Sequence, residues 1–332
     1  MTVGILVDPS CDLPTPWYQS CQVTLVPNSL MLNDQTLVDK RDVAASQAFY
    51  RPTSAKQRAK VERPYDPHIA AQNLNPDSNH NGPFYPGINS NGPADALTAN
   101  LPYQYDQLLI VTPYPSLSLS LPSVRATLTQ AQPQIDALRQ AARLVRPFRV
   151  RVLDSQSGYA GYGLVLHQAL RLLGRKGYSV DQLKQSLDGF KVSLTTFVQP
   201  GQRAFDTAML RKPPYQLGWL RRQQLKLTAR RPIFQLDSDG AHWVQSRANA
   251  NFENDFLAFA HDRLMRARLS KPLVNLSYAG DLADLRERPM FTAIHRQIRQ
   301  QGGTLLYSMM ALSSALQLGL GALSLAFVET RK

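Results

Sequence analysis

Short apolar runs bounded by turn residues recur along the first half of the chain. They fall at residues 4–7 (GILV), 23–26 (VTLV), 108–112 (LLIVT) and 148–153 (FRVRVL). Runs of this length that are rich in branched side chains are typical of buried strands. Helical periodicity covers residues 123–144, with an interruption near Pro133, and returns at residues 162–173. Strands that alternate with helices in this way predict an α/β fold with a parallel sheet.

The second half of the chain continues the alternation and predicts a second lobe. The pattern favours strands at 191–197, 232–236 and 273–277 and helices at 252–269 and 290–301. A chain of 332 residues exceeds the usual size of one domain. We therefore predict an N-terminal α/β/α lobe over residues 1–165 and a C-terminal α/β lobe over residues 166–332.

A stretch at about 73–103 breaks this rhythm. It is rich in asparagine and proline and shows neither helical nor strand periodicity. Such a composition predicts a long irregular loop or insertion in the N-terminal lobe. Both a functional lid and a disordered loop fit the pattern.

The C-terminal region contains an uncharged stretch from residue 300 to residue 328. Residues 309–328 are long enough to span a bilayer, but serines, Gln317 and two glycines interrupt them. Either a buried strand–loop–helix unit or a tail anchor fits, and the mean hydropathy of −0.28 favours the buried unit. The first ten residues lack the basic region and long apolar run of a signal peptide, so we expect a cytoplasmic protein.

Charge is distributed unevenly and indicates an anionic partner. Residues 1–100 carry 7 basic and 9 acidic side chains, whereas residues 101–332 carry 30 and 15. The densest basic stretch, residues 203–231, includes Arg211, Arg221 and Arg222 and a single acidic residue. Unpaired like charges at this density favour an acidic protein or a nucleic acid as partner, although a solvated helical face would give the same pattern.

The common catalytic and metal-binding signatures are missing from the sequence. Cys11 and Cys21 are the only cysteines, the six histidines are scattered, and there is no GxSxG, Walker A or HExxH sequence. The glycines of GYAGYG at residues 158–163 do not follow the GxGxxG order of a dinucleotide site. These features predict a non-catalytic protein with neither a metal site nor a dinucleotide cofactor.

Several short motifs, in order along the chain, resemble those of the DegV family. Residues 7–14 (VDPSCDLP) are similar to the family's opening TDSxxDLP motif, and Asp39 falls at its YRDG turn. Residues 154–163 are similar to the DSxxxSxGxG segment, and residues 231–233 (RPI) to KPI. Residues 319–323 (GLGAL) are similar to the late GPGAL motif. Each motif is short, but their order and spacing extend over about 320 residues.

This resemblance implies a bacterial, two-lobed α/β protein that binds a fatty acid in a cleft between the lobes. It also implies that a fatty acid kinase subunit could be the partner, through the basic residues named above. The C-terminal apolar segment would then be a buried strand, glycine turn and helix that line the acyl tunnel. No cofactor other than the fatty acid is implied.

The motifs that would hold the fatty-acid carboxylate differ from the family pattern. Where the family has TSQPS, this chain has residues 62–66 (ERPYD), so Glu62 and Arg63 take the place of hydroxyl groups. Where the family has the serine-rich SSxLSGT loop, it has residues 114–120 (YPSLSLS), and Gln317 replaces a frequent histidine. The resemblance therefore implies a ligand-binding set of these residues: Glu62, Arg63, Tyr114, Ser116, Ser118, Ser120, Gln317, Gly319 and Gly321.

We thus predict a lipid-binding protein that encloses an acyl chain between its lobes. The alternative is a protein that binds nucleic acid or another anionic surface through its basic C-terminal lobe. Arg63 has two alternatives of its own: it contacts the ligand carboxylate, or it is neutralised by Glu62 or Asp66.

Overall fold

The computed structural model describes two packed α/β lobes. The described residues are 2–20, 22–32, 35–50, 97, 101–114, 121–175, 177–201, 214–228, 230–238, 240–248 and 252–330. Most of the predicted loop at 73–103 lies outside these ranges.

The N-terminal lobe is built on a four-stranded parallel sheet. Its central strands are wholly buried because helices cover both faces of a parallel sheet. The order is β2–β1–β5–β6, and a separate hairpin, β3–β4, follows the sheet's edge strand along the chain. The elements are β1 (Val3–Val7), β2 (Val23–Leu25), β3 (Asn28–Leu32), β4 (Gln35–Asp39), α1 (Val43–Tyr50), α2 (Leu101–Gln104), β5 (Gln107–Thr112), α3 (Leu121–Ala141) and β6 (Arg149–Asp154).

The C-terminal lobe is built on a six-stranded mixed sheet in the order β11–β10–β12–β7–β8–β9. Only β10 and β11 are parallel, and the other neighbours are antiparallel. The elements are α4 (Tyr159–Leu173), α5 (Val180–Val192), β7 (Leu194–Gln199), α6 (Trp219–Leu227), β8 (Arg230–Asp237), β9 (Gly240–Ala248), α7 (Phe252–Arg266), β10 (Leu269–Tyr278), α8 (Leu282–Arg286), α9 (Pro289–Gln300), β11 (Thr304–Met309), α10 (Leu312–Leu318) and β12 (Leu323–Glu329).

Helix α4 joins the two sheets into one core. Most of its side chains are buried, and its polar residues His167 and Arg171, four residues apart, share one face on which Arg171 is exposed. It packs in one cluster with Ile5 and Val7 of the first sheet and with Ala326 and Val328 of the second. The predicted lobe boundary near residue 165 falls within this helix, and it stays a prediction.

The predicted interruption of the helix at Pro133 is wrong. Helix α3 continues through Pro133 because Val124, Ala131 and Ile135, on both sides of the proline, pack in one cluster against the sheet. The predicted strand at 191–197 begins later, at Leu194, since α5 extends to Val192.

The predicted order of the C-terminal segment is also wrong in part. We expected a strand, a glycine turn and a helix, whereas the observed order is β11, α10, a glycine turn and β12. Gly319 and Gly321 have positive φ angles of 86° and 77°, which reverse the chain so that residues 323–329 enter the sheet as an interior strand. Within the described residues, no helix is long and apolar enough to cross a membrane.

Candidate ligand site between the lobes

An apolar cluster lies where the two lobes meet, and we call it the interlobe cluster. It combines side chains from α1, α4, β8 and α10 with those of the segment before α6. Large aromatic and aliphatic groups dominate it, with tyrosines as its main polar members. Its buried members include Tyr50, Tyr159, Val198, Tyr215, Leu217, Phe234, Leu236, Met310, Leu312, Ala315 and Leu318.

A line of hydrogen-bonding groups crosses this cluster. The Tyr215 hydroxyl donates to the Tyr159 hydroxyl at 3.2 Å, and Tyr159 donates to Oε1 of Gln317, also at 3.2 Å. Tyr159 has a φ of 51°, an uncommon conformation for a bulky residue that the surrounding packing must hold. The line therefore places an amide and two phenols within otherwise apolar surroundings.

A buried carboxylate, Asp12, connects the N-terminal lobe to the strand ends of the C-terminal lobe. One of its oxygens accepts from the Ala311 backbone amide at 2.9 Å and from Arg41 at 2.8 Å. The other accepts from the Ser277 hydroxyl at 2.5 Å, and the Asp12 carbonyl oxygen accepts from Asn275 at 2.7 Å. Asp12 thus bonds to β10 and to the start of α10 at the same time.

Asp39 and Tyr50 hold the same segment of the C-terminal lobe. Asp39 Oδ2 accepts from the Ser313 backbone amide at 2.9 Å and from the Ser313 hydroxyl at 2.8 Å. The Tyr50 hydroxyl donates to the Met310 carbonyl at 2.9 Å. Together with Asp12, these side chains fix residues 310–313, which lead into Gln317 and the glycine turn.

Burial dominates the electrostatics at Asp12. It raises the pKa of the carboxyl group from 3.8 to about 6, while the Arg41 guanidinium and the hydrogen bonds from Ser277 and Ala311 partly offset this rise. Arg41, which donates to Asp12, has a φ of 61°. The guanidinium that pairs with Asp12 is therefore placed by a residue with a strained backbone.

The glycine turn fits closely against its neighbours. A Cβ added at Gly321 would lie 2.7 Å from a Glu253 carboxylate oxygen and 2.8 Å from the Phe252 ring. A Cβ added at Gly201, after β7, would lie 2.1 Å from the Leu320 carbonyl oxygen. At Gly201 only glycine allows the two backbones to approach this closely, whereas Gly321 has side chains as neighbours and a φ of 77° that favours glycine.

The structure brings two of the predicted ligand residues, Tyr114 and Gln317, to the interlobe cluster. Tyr114 is half-buried and packs against the cluster, while Gln317 accepts from Tyr159. Gly319 and Gly321 form the turn after α10. Glu62, Arg63, Ser116, Ser118, Ser120 and Arg211 lie outside the described residues.

The predicted partner residues Arg221 and Arg222 lie on α6. The Arg221 guanidinium is 5.2 Å from the centre of the Trp243 ring, a cation–π contact. Arg231, from the same basic stretch, is buried 3.9 Å from the centre of the Phe252 ring. The stretch is therefore not one continuous solvated surface.

Sequence reasoning missed the residues that connect the lobes. These residues are Asp12, Asp39, Arg41, Tyr159 and Tyr215. Asp12, Asp39 and Tyr159 were noted only as parts of motifs. The available signal was position, because Asp12 follows β1 and Tyr159 follows β6, where side chains of a parallel sheet converge on a ligand crevice.

Among the described residues, no group of three or more His, Cys, Asp or Glu could hold a metal ion.

The chain is similar to a curated protein over nearly its whole length. No family model matches the chain. A DegV domain-containing protein of Xanthomonas campestris pv. campestris is 25% identical over 332 residues, covering 98% of this chain and 97% of that protein.

Solved structures share the fold over the full length. A DegV lipid-binding protein from Thermotoga maritima has a TM-score of 0.68 and 15% identity, with 100% of both chains covered. The Streptococcus pneumoniae fatty acid kinase B3 protein, loaded with linoleic acid, has a TM-score of 0.64 and 15% identity, with 99% of this chain and 100% of that chain covered. These matches show that the chain has the two-lobed fold of the DegV proteins and is similar to a DegV domain-containing protein over nearly its whole length.

Proposed function

We propose that this protein binds a fatty acid and encloses its acyl chain between the two lobes. The observation that carries the proposal is the interlobe cluster, in which buried aliphatic and aromatic side chains surround the polar groups of Tyr159, Tyr215 and Gln317. Apolar surroundings with a few placed polar groups are typical of small-molecule sites.

The chemistry of a fatty acid suits such a cluster. Removing each methylene from water contributes roughly 0.8 kcal/mol, so a long acyl chain supplies most of the affinity. Hydroxyl and amide donors then orient the head group. The Thermotoga maritima and Streptococcus pneumoniae structures, described as lipid-binding and as loaded with linoleic acid, support this choice of ligand.

The proposed role is binding and presentation rather than catalysis. The likeness to the fatty acid kinase B3 protein supports a kinase subunit as partner. Its docking surface would include Arg221 and Arg222, and a cytoplasmic location stays part of the proposal. The alternative of a nucleic-acid-binding protein is not favoured, since the two similar structures named above are described as lipid-binding and as loaded with linoleic acid.

The roles of Glu62 and Arg63 stay predictions. If Arg63 reaches the ligand carboxylate, Arg63→Ala loses fatty-acid affinity and Glu62→Ala does not. If Glu62 points inward instead, the site prefers a neutral or different ligand, and Glu62→Ala gains fatty-acid affinity because a repelling carboxylate is removed.

The direct test is native mass spectrometry of the protein purified from cells, followed by organic extraction. We expect a bound mass that disappears on extraction and is identified as a fatty acid. The extracted protein is then titrated with oleic acid. Protein that carries no lipid and does not bind oleic acid after extraction would overturn the proposal.

A pair of substitutions locates the ligand. Ala315 is buried in the interlobe cluster, whereas Ala126 is exposed on α3. Ala315→Phe fills the proposed acyl space and should abolish lipid retention, and Ala126→Phe should retain it. Equal retention in two folded variants would place the ligand elsewhere.

A further inference from the structure

Ser314, in α10, has a buried hydroxyl group without a hydrogen-bond partner among the described residues. Its side chain is 1% exposed. The helix does not satisfy this hydroxyl through the carbonyl of the preceding turn, which is the usual local acceptor for a serine in a helix. A buried polar group left in this state costs free energy, and ligands commonly supply the missing partner.

The two neighbours of Ser314 on its helix face show where that face points. At about 100° per residue, Ser314 lies between Gln317 and Leu318, which are roughly 60° and 40° away around the helix. Gln317 accepts a hydrogen bond from Tyr159, and Leu318 is buried in the interlobe cluster. Ser314 therefore lies on the face of α10 that is turned toward the candidate ligand site.

We propose that the Ser314 hydroxyl donates a hydrogen bond to the carboxylate of the bound fatty acid. The inference rests on the proposed function and adds a named contact to it. A serine hydroxyl is a donor without charge, so it stabilises an anionic head group without forming an ion pair. Gln317, one turn later, provides an amide beside it.

The test compares Ser314 with a second serine whose buried hydroxyl also lacks a hydrogen-bond partner among the described residues. Ser308, on β11, is also buried and also lacks a hydrogen-bond partner among the described residues, but it lies beside Ser277 in the sheet. The parent protein, Ser314→Ala and Ser308→Ala are stripped of lipid and titrated with oleic acid and with methyl oleate.

We expect Ser314→Ala to bind oleic acid about ten-fold more weakly, as for the loss of a hydrogen bond to a charged group. Its affinity for methyl oleate should change much less, because the ester carries no charge. Ser308→Ala should match the parent for both lipids. The melting temperature of ligand-free Ser314→Ala should not fall, since the hydroxyl has no protein partner to lose.

The outcomes separate the two levels of the proposal. Unchanged oleic acid affinity in Ser314→Ala, or equal weakening in both variants, would overturn the Ser314 assignment and leave fatty-acid binding intact. A parent protein that binds neither lipid would overturn the proposed function and the assignment with it. If Ser314→Ala does not fold, the nearly isosteric Ser314→Cys, a much weaker donor, replaces it.

Discussion

At the scale of single residues, the burial of the Asp12 carboxylate costs desolvation free energy, and many hydrogen bonds offset that cost. A buried carboxylate is expensive unless donors surround it, and this one accepts from Arg41, Ser277 and Ala311. The residual cost appears as the rise of its pKa to about 6. A salt bridge of this kind contributes little net stability, so its benefit is the fixed position of the segments it joins.

The raised pKa predicts a pH dependence of folding stability with a definite sign. Between about pH 4 and pH 6 the folded state binds a proton at Asp12 that the unfolded state has released. The free energy of unfolding of the parent, relative to Asp12→Asn, should therefore fall as the pH rises through this window and stay constant above it. Urea denaturation of both proteins at several pH values measures this difference.

Two other groups serve as internal controls. Burial and the nearby Arg171 lower the pKa of His167 to about 4, but this titration is common to both proteins and cancels in the difference. The Arg151 hydrogen bond lowers the pKa of the exposed Asp181, so the parent's advantage over Asp181→Asn should shrink as the pH falls. The stability difference between the parent and Asp12→Asn should therefore change with pH in the direction opposite to that of the Asp181 control. A change in the same direction as the control would contradict the prediction.

At the scale of elements, the close fit between β7 and the turn after α10 positions the candidate site. The Gly201 backbone amide donates to the Leu318 carbonyl at 2.6 Å. The turn then returns the chain into β12, whose register with β7 runs from Leu323 opposite Gln199 to Val328 opposite Leu194. Displacing the turn would therefore move Gln317 and the adjoining strand together.

Gly201→Ala tests this fit. The added methyl group would overlap the carbonyl oxygens of Leu320 and Gly319. We expect a loss of about 1–3 kcal/mol in the free energy of unfolding, measured by urea denaturation, and weaker retention of bound lipid.

Gly189→Ala is the matched control with the opposite sign. Gly189 lies within α5, where an added Cβ has no heavy atom within 4 Å. Alanine is the better helix former, so this variant should gain about 0.5–1 kcal/mol. A Gly201→Ala variant as stable as the parent would show that the turn can move without cost.

The pattern of apolar residues along the chain was enough to predict the strands that are buried along their whole length. The runs at 4–7 and 108–112 became β1 and β5 because each is buried along its whole length. Helix α5 was missed although Ser179 and Gln182 form a capping box, a signal that can be read from sequence. The order of the last three elements depends on the sheet position of β12, which is set by distant strands and not by its own residues.

The candidate site was predictable only where a side chain replaces a family motif. Gln317 was predicted in that way and lies beside Tyr159, but its role in ligand binding stays a prediction. The contacts of Asp12 with Ala311 and of Asp39 with Ser313 join residues 299 and 274 positions apart, and no local pattern encodes such pairs. Tyr215 meets Tyr159 only because the lobes pack together.

At the scale of the whole molecule, the excess positive charge lies outside the interlobe cluster. The net charge of +13 comes from the C-terminal two thirds of the chain, whereas the interlobe cluster is apolar. Arg221 is exposed on α6, and Trp219 and Leu220 beside it are also exposed. Such a surface favours association with an acidic partner through faster encounter and a strong dependence on salt.

The last prediction separates docking from lipid binding with two charge-matched double variants. Arg221→Ala/Arg222→Ala removes two positive charges from α6, and Arg149→Ala/Arg151→Ala removes two from β6 in the other lobe. A fatty acid kinase catalytic subunit is immobilised, and association is followed at low and high salt. We expect the α6 variant to associate roughly ten-fold more slowly at low salt, the β6 variant to behave as the parent, and all three proteins to retain lipid equally. Equal slowing in both variants would show that association depends on the net charge of the protein and not on the position of these arginines. Loss of lipid from a folded α6 variant would show that Arg221 and Arg222 belong to the ligand site instead.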